Sequence, residues 1–231
     1  VTPTVGYRFL IDPHEPEDSL TAYMLELIDA FCVANELSGA SFHFVDPEWG
    51  PLLADHGYTG WLHQSYEWYN TGFVDFDSYL AGFGKNQRRN IRRERRSIAE
   101  AGIRVEMLTG DRIDESVLET MWEYYERTND QFGPWAAKYL TPEFFDEQLL
   151  VFRDRMLFAA AYDEGSHREE PGGARDAAER PIALSMLLVR EDAIVGRYWG
   201  AERSIDNLHF ELCYYAPIEW AIAHGVRRFD P

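Results

Sequence analysis

The chain has 231 residues, 45% hydrophobic and 15% aromatic, with 22 Lys and Arg against 40 Asp and Glu and a formal net charge of −18. That is enough apolar material for one large or two small packed domains, and it excludes an intrinsically disordered chain. No apolar run is long enough to span a bilayer and no signal-peptide pattern opens the chain; the only two cysteines, Cys32 and Cys213, lie outside any C-x-x-C, so no disulfide framework and a reducing, cytoplasmic location are expected.

In chain order, "YRFLI" (7–11) reads as a strand, and Leu20, Met24, Leu27, Ile28 and Phe31 recur at helical spacing up to Ala34. "SFHFV" (41–45) alternates like a strand, "DPEWGPLLADHGY" reads as a short helix closed by Gly57, and the aromatic run 59–70 reads as another strand. A helix follows from Phe76, then a second one, "NQRRNIRRERRSIAEAG", stopping at Gly102. The segment 103–108 is a predicted strand. Asp114 is positioned to cap a helix bearing Leu118, Met121, Trp122 and Tyr125, and Thr141 with Pro142 marks another helix start. Strands are predicted over 156–162, 182–190 and 193–200. Between the first two, residues 163–180 lack apolar periodicity and read as a mobile hairpin loop. "ELCYYAPIEWAIAHG" is a helix ending at Gly225, with Pro217 either opening it or kinking it, and "VRRFD" begins a last strand. The pattern is mixed α/β.

Seven of the twelve residues from Lys85 to Arg96 are basic. On a helix Arg88, Arg92 and Arg95 form one row, with Arg89, Arg93 and Arg96 beside it, while Ile91 and Ile98 mark the buried side. Two readings stand. Neighbouring acids neutralise the cluster within the fold, or Lys85, Arg88, Arg89 and Arg92 grip an anionic group, for which the planar guanidinium is matched. The seven histidines show no metal-ligand spacing, so no metal is expected. The acidic net charge argues against duplex DNA as a partner.

The segments "QSYEWYNTGFVDFDSYLAGFGKNQRRNIRRERRSIAEAGIRVEMLTG", "YLTPEFF", "GRYWG" and "HFELCYY" together resemble the FemAB-like predicted N-acyltransferases, often labelled peptidoglycan-biosynthesis proteins, over most of the chain. The resemblance implies two tandem acetyltransferase-like (GNAT/Fem-type) folds. It places the C-terminal part of a first copy, incomplete here, in residues 1–75 and a second copy lacking its last strands in 76–231. It also implies an acyl donor, acyl-CoA or aminoacyl-tRNA, with no tightly bound cofactor. The stretch "GAERSIDNLHFELCYY" lacks the R/Q-x-x-G-x-G/A loop with which acetyltransferases cradle the coenzyme A pyrophosphate.

Within these motifs, Glu211 is the candidate base for the acceptor amine. Tyr198 or His209 would position substrate or assist the leaving group, and Arg197 and Trp199, sharing one face of their strand, would line the substrate site. Each has a plainer reading: sheet packing for Tyr198, Arg197 and Trp199, a satisfied hydrogen bond for His209, and a salt bridge to an arginine for Glu211. Cys213 has no evident His partner and reads as a small buried hydrophobe. The expected activity is N-acyl or aminoacyl transfer to an amine on an anionic or tRNA-linked, envelope-related acceptor. The alternatives are a non-catalytic RNA- or tRNA-binding protein using the arginine helix, or an inactive scaffold with no acid or base lining its cleft. The sequence does not set an oligomeric state.

Overall fold

The computed structural model describes residues 6–62, 64–136, 138–166 and 179–231. The chain divides into two compact units, 1–65 and 66–231.

The first unit holds helices α1 (Glu17–Ala34) and α2 (Gly50–Asp55) around a core of Phe9, Leu25, Trp49 and Leu53. The strands expected at 7–11 and 41–45 do not form; a single bridge joins Tyr7 and Val45. Phe44 sits at φ +55°. That left-handed residue breaks the extended run one position before the bridge, and its carbonyl accepts both the Gly6 and the Tyr7 N–H. The expected strand 59–70 shrinks to β1 (Trp68–Tyr69), which belongs to the second unit because it pairs with that unit's last strand.

The second unit follows the predicted order closely. It contains α3 (Phe76–Ala81), α4 (Lys85–Glu100), β2 (Ile103–Leu108), α5 (Glu115–Asp130), α6 (Pro142–Phe152), β3 (Met156–Asp163), β4 (Ala183–Val189), β5 (Ala193–Ala201), α7 (Leu208–Phe210), a π turn (Glu211–Tyr215), α8 (Ala216–Ala223) and β6 (Arg228–Asp230). One mixed six-stranded sheet has the order β1-β6-β5-β4-β3-β2. Strands β2 to β5 are antiparallel, and β6 returns parallel to β5 after the helical crossover. Most of the predicted loop 163–180 (residues 167–178) lies outside the described residues.

Helices cover both faces, which is why β3 reads as an unbroken apolar run. Its Phe158, Ala160 and Tyr162 face α5 and α6, and Leu157, Ala159 and Ala161 face α3, α4 and α8. Gly200 is required where α5 crosses β5, because a Cβ there would lie 2.5 Å from the Tyr124 carbonyl oxygen. Asp114 caps α5 through the Val117 N–H at 3.1 Å. Thr141, expected to cap α6, makes no such bond. Helix α3 opens with a capping box of Asp75 and Ser78. Asp75→Ala is expected to cost about 1 kcal/mol, read as a drop of about 2–4 °C in Tm.

Two irregularities position the site. The β4–β5 register passes from Met186–Tyr198 to Leu187–Gly196, so Arg197 is an extra, bulged residue. The other is the π turn. Pro217 has no N–H and would clash with a carbonyl one turn back in a regular helix. The chain widens there instead, with the Ala216 N–H reaching the Glu211 carbonyl.

Candidate functional site

Helix α4 is built on Ile91 and Ile98, which turn its apolar side to the sheet; Ile98 is buried among Ala159, Ala161, Leu208 and Leu212. The basic residues are thereby split into two rows. The inner row is satisfied by the protein itself. Arg88 Nη1 donates to the Ala81 carbonyl at 3.3 Å, and Arg92 Nη2 meets Asp77 Oδ1 at 2.8 Å. Arg95 Nε lies 3.1 Å from both Glu211 oxygens, and its Nη2 reaches Glu211 Oε1 at 2.9 Å and Glu219 Oε2 at 2.6 Å. The same guanidinium stacks 4.5 Å above the Phe76 ring. The outer row, Lys85, Arg89, Arg93 and Arg96, is exposed, and among the described residues it has neither ion pair nor side-chain hydrogen bond. Like charges at i,i+4 cost a helix about 0.2–0.5 kcal/mol per pair, so the inner acids offset only part of the repulsion along α4.

A cavity of about 640 Å³ opens between α3, α4, α8 and the edge strand β2. Its charged lining is Asp75, Asp77, Glu211 and Glu219 against Arg92, Arg95 and Arg96. Glu211 lies at its floor, only 4% exposed. Desolvation pushes its carboxyl above the ordinary range, against the pull of Arg95. Arg95 carries a single positive charge and cannot neutralise two carboxylates, so with both ionised the Glu211–Arg95–Glu219 group keeps one uncompensated negative charge. A smaller cavity of about 230 Å³ shares Arg95, Glu211 and Glu219 and adds Trp220 and His224.

The π turn accounts for the shared Arg95. Residues eight apart on an α-helix are offset by about 80°. The turn absorbs one extra residue, so Glu219 returns to the face that carries Glu211. Just beyond Glu211, the Tyr215 hydroxyl donates to Glu94 Oε2 at 2.6 Å, and burial together with that carboxylate pushes its pKa up.

Of the residues singled out in the sequence, Glu211 and Arg92 line the cavity, and both are held by partners within the chain. Arg88 turns to a backbone carbonyl, and Lys85 and Arg89 point outward. Tyr198 lies on the opposite side of the sheet from Glu211, edge-on to Tyr125 and Phe145. The expectation that Arg197 and Trp199 share a face fails at the bulge. Arg197 lies over the Tyr198 ring at 5.4 Å, whereas Trp199 packs with the α4 cluster. His209 stands edge-on to Trp199 at 5.2 Å, and burial lowers its pKa from the ordinary value. Burial raises the Cys213 thiol to about 12, so it is protonated at neutral pH and unsuited to nucleophilic attack. The sequence reading missed Arg95, Glu219, Asp77 and Phe76. Arg95 had a signal as the third member of the Arg88–Arg92 row; its acidic partners had none.

The FemAB-like family, described as peptidoglycan biosynthesis/recognition, matches residues 1–231, the whole chain. No curated protein matches. Among solved structures, L-PGS from Bacillus licheniformis is similar at 12% identity and TM-score 0.47, covering 81% of this chain and 50% of that one. The C-terminal DUF2156 domain of a predicted lysylphosphatidylglycerol synthetase from Agrobacterium fabrum is similar at 10% identity and TM-score 0.48, covering 90% and 58%. A conserved protein of unknown function from Bacteroides thetaiotaomicron is similar at 14% identity and TM-score 0.46, covering 91% and 66%. The chain thus spans between half and two thirds of the length of these solved chains.

Proposed function

This chain belongs to the FemAB-like family, and we propose that it is an N-acyl- or aminoacyltransferase whose acceptor amine is bound and deprotonated in the cleft between α3, α4 and α8. The observation that carries the reading is the buried Glu211, raised in pKa and sharing Arg95 with Glu219 at the edge of that cleft. The one uncompensated negative charge suits an ammonium group on entry. When the amine nitrogen attacks the activated carbonyl, a C–N bond forms, the leaving group departs with its electron pair, and the amine proton passes to this carboxylate pair. No covalent enzyme intermediate is required. Arg96, which lines the cleft without an internal partner among the described residues, is placed for an anionic part of donor or acceptor. A cleft walled by acids and arginines also counts against the inactive-scaffold alternative.

The test supplies the full chain with acyl-CoA or aminoacyl-tRNA, each with a peptide bearing a free primary amine, and follows the peptide by mass spectrometry. The expected result is an N-acylated product from one donor class, at a rate that rises with pH as Glu211, raised by desolvation, and the amine lose their protons. Absence of product with both donors, or equal product from a Glu211→Gln, Glu219→Gln double variant, overturns the proposal.

A further inference from the structure

Apart from Arg96, which borders the cleft, the outer row of α4 has no part in the cleft chemistry. Lys85, Arg89, Arg93 and Arg96 follow one another at spacings of four, four and three, and so form a continuous stripe on a single helix face. At 1.5 Å per residue the stripe is about 16 Å long. All four are exposed, and none has an ion pair or side-chain hydrogen bond among the described residues. This occurs in a chain with 40 acids, where the neighbouring row of the same helix finds internal partners for every guanidinium. A straight, unneutralised cationic stripe on a net-acidic protein fits an anionic counterpart outside the molecule.

We propose that this stripe seats the protein on an anionic phospholipid surface. A rigid helix edge presents its four cations in one plane, which matches a layer of phosphate head groups. The stripe lacks the aromatic platforms on which single-stranded nucleic acid stacks; the residues interleaved with it on α4 are Asn86, Gln87, Asn90, Ile91, Glu94 and the inner arginines, none of them aromatic. The contact proposed is a peripheral one; among the described residues no helix is long and apolar enough to cross a membrane. Arg96 ends the stripe at the cavity, so a surface-borne molecule would meet the protein at the cleft mouth. At about 0.1 M salt the attraction acts over roughly 10 Å. This inference does not depend on acyl transfer.

The experiment measures co-sedimentation of the full chain with phosphatidylcholine vesicles and with vesicles containing about 30% phosphatidylglycerol, at rising salt. Wild-type protein should bind only the anionic vesicles and release with salt. A Lys85→Ser, Arg89→Ser, Arg93→Ser variant should bind at least 50-fold more weakly, since each cation near such a surface contributes about fivefold. An Arg89→Lys, Arg93→Lys variant, which keeps the charge, should bind within about threefold of wild type and guards against misfolding as the cause. No binding to anionic vesicles, equal binding to neutral ones, or undiminished binding by the serine variant overturns the proposal. So does tight binding to a single-stranded RNA with none to vesicles, which would assign the stripe to nucleic acid.

Discussion

Arg95→Ala is expected to lower the stability of the fold by about 3–5 kcal/mol, the usual consequence of stranding a buried charge by removing its partner. The stranded group is Glu211, 4% exposed and held by three contacts from Arg95 between 2.9 and 3.1 Å. Phe76 also loses the guanidinium that covers its ring. For a chain of this size the loss amounts to roughly 6–20 °C in Tm, measurable by calorimetry or urea unfolding. A second substitution identifies the cause. Glu211→Gln in the Arg95→Ala background should recover most of the loss, because the uncompensated charge is gone. If the double variant is as unstable as the single one, packing rather than charge pairing holds α4 to the π turn. The defect of the single variant should also shrink in acid. Without Arg95 the Glu211 pKa rises further in the folded state, so folded protein takes up a proton that unfolded protein does not, and stability falls as pH climbs through that raised pKa.

Glu211→Gln alone is expected to reduce the proposed acyl transfer by about 10²–10⁴-fold, the span ascribed to a positioned general base. Stability should change little, because Gln retains an oxygen to accept from Arg95 and Arg95 keeps Glu219 at 2.6 Å. The loss should fall on kcat rather than KM, as the amide is nearly the same size as the carboxyl. A pH signature accompanies it. Desolvation raises the folded-state pKa of Glu211 above its unfolded value, so the wild type loses a component of stability as pH rises between the two, and the Gln variant lacks that component. Unchanged turnover with the pH signature abolished would leave Glu211 a purely structural partner of Arg95.

Much of the second unit was legible because its signals are local. Ile91 and Ile98 oriented α4, Asp114 and Pro142 opened α5 and α6, and the apolar runs of β3 and β4 follow from burial on both faces. The first unit was less legible because a strand is stable only with a partner, and alternation in "SFHFV" says nothing about whether one is present. Phe44 at φ +55° then overrode the pattern. The face assignment of Arg197 and Trp199 failed for a related reason: alternation holds only while no bulge intervenes, and the bulge is visible only in the β4–β5 register. Pro217 did announce an irregularity, but widening into a π turn rather than a kink was settled by packing.

The cleft divides along the same line. The sequence by itself determined that one helix carries two rows of cations and one apolar seam, because helical geometry alone fixes which residues share a face. It could not determine which row is neutralised. Arg95 and Glu211 lie 116 residues apart, and their pairing depends on where the sheet sets α4 beside α8 and on the one residue by which the π turn shifts Glu219. Charge pattern is a property of the chain, whereas charge compensation depends on distance in space, and only the tertiary structure supplies that distance.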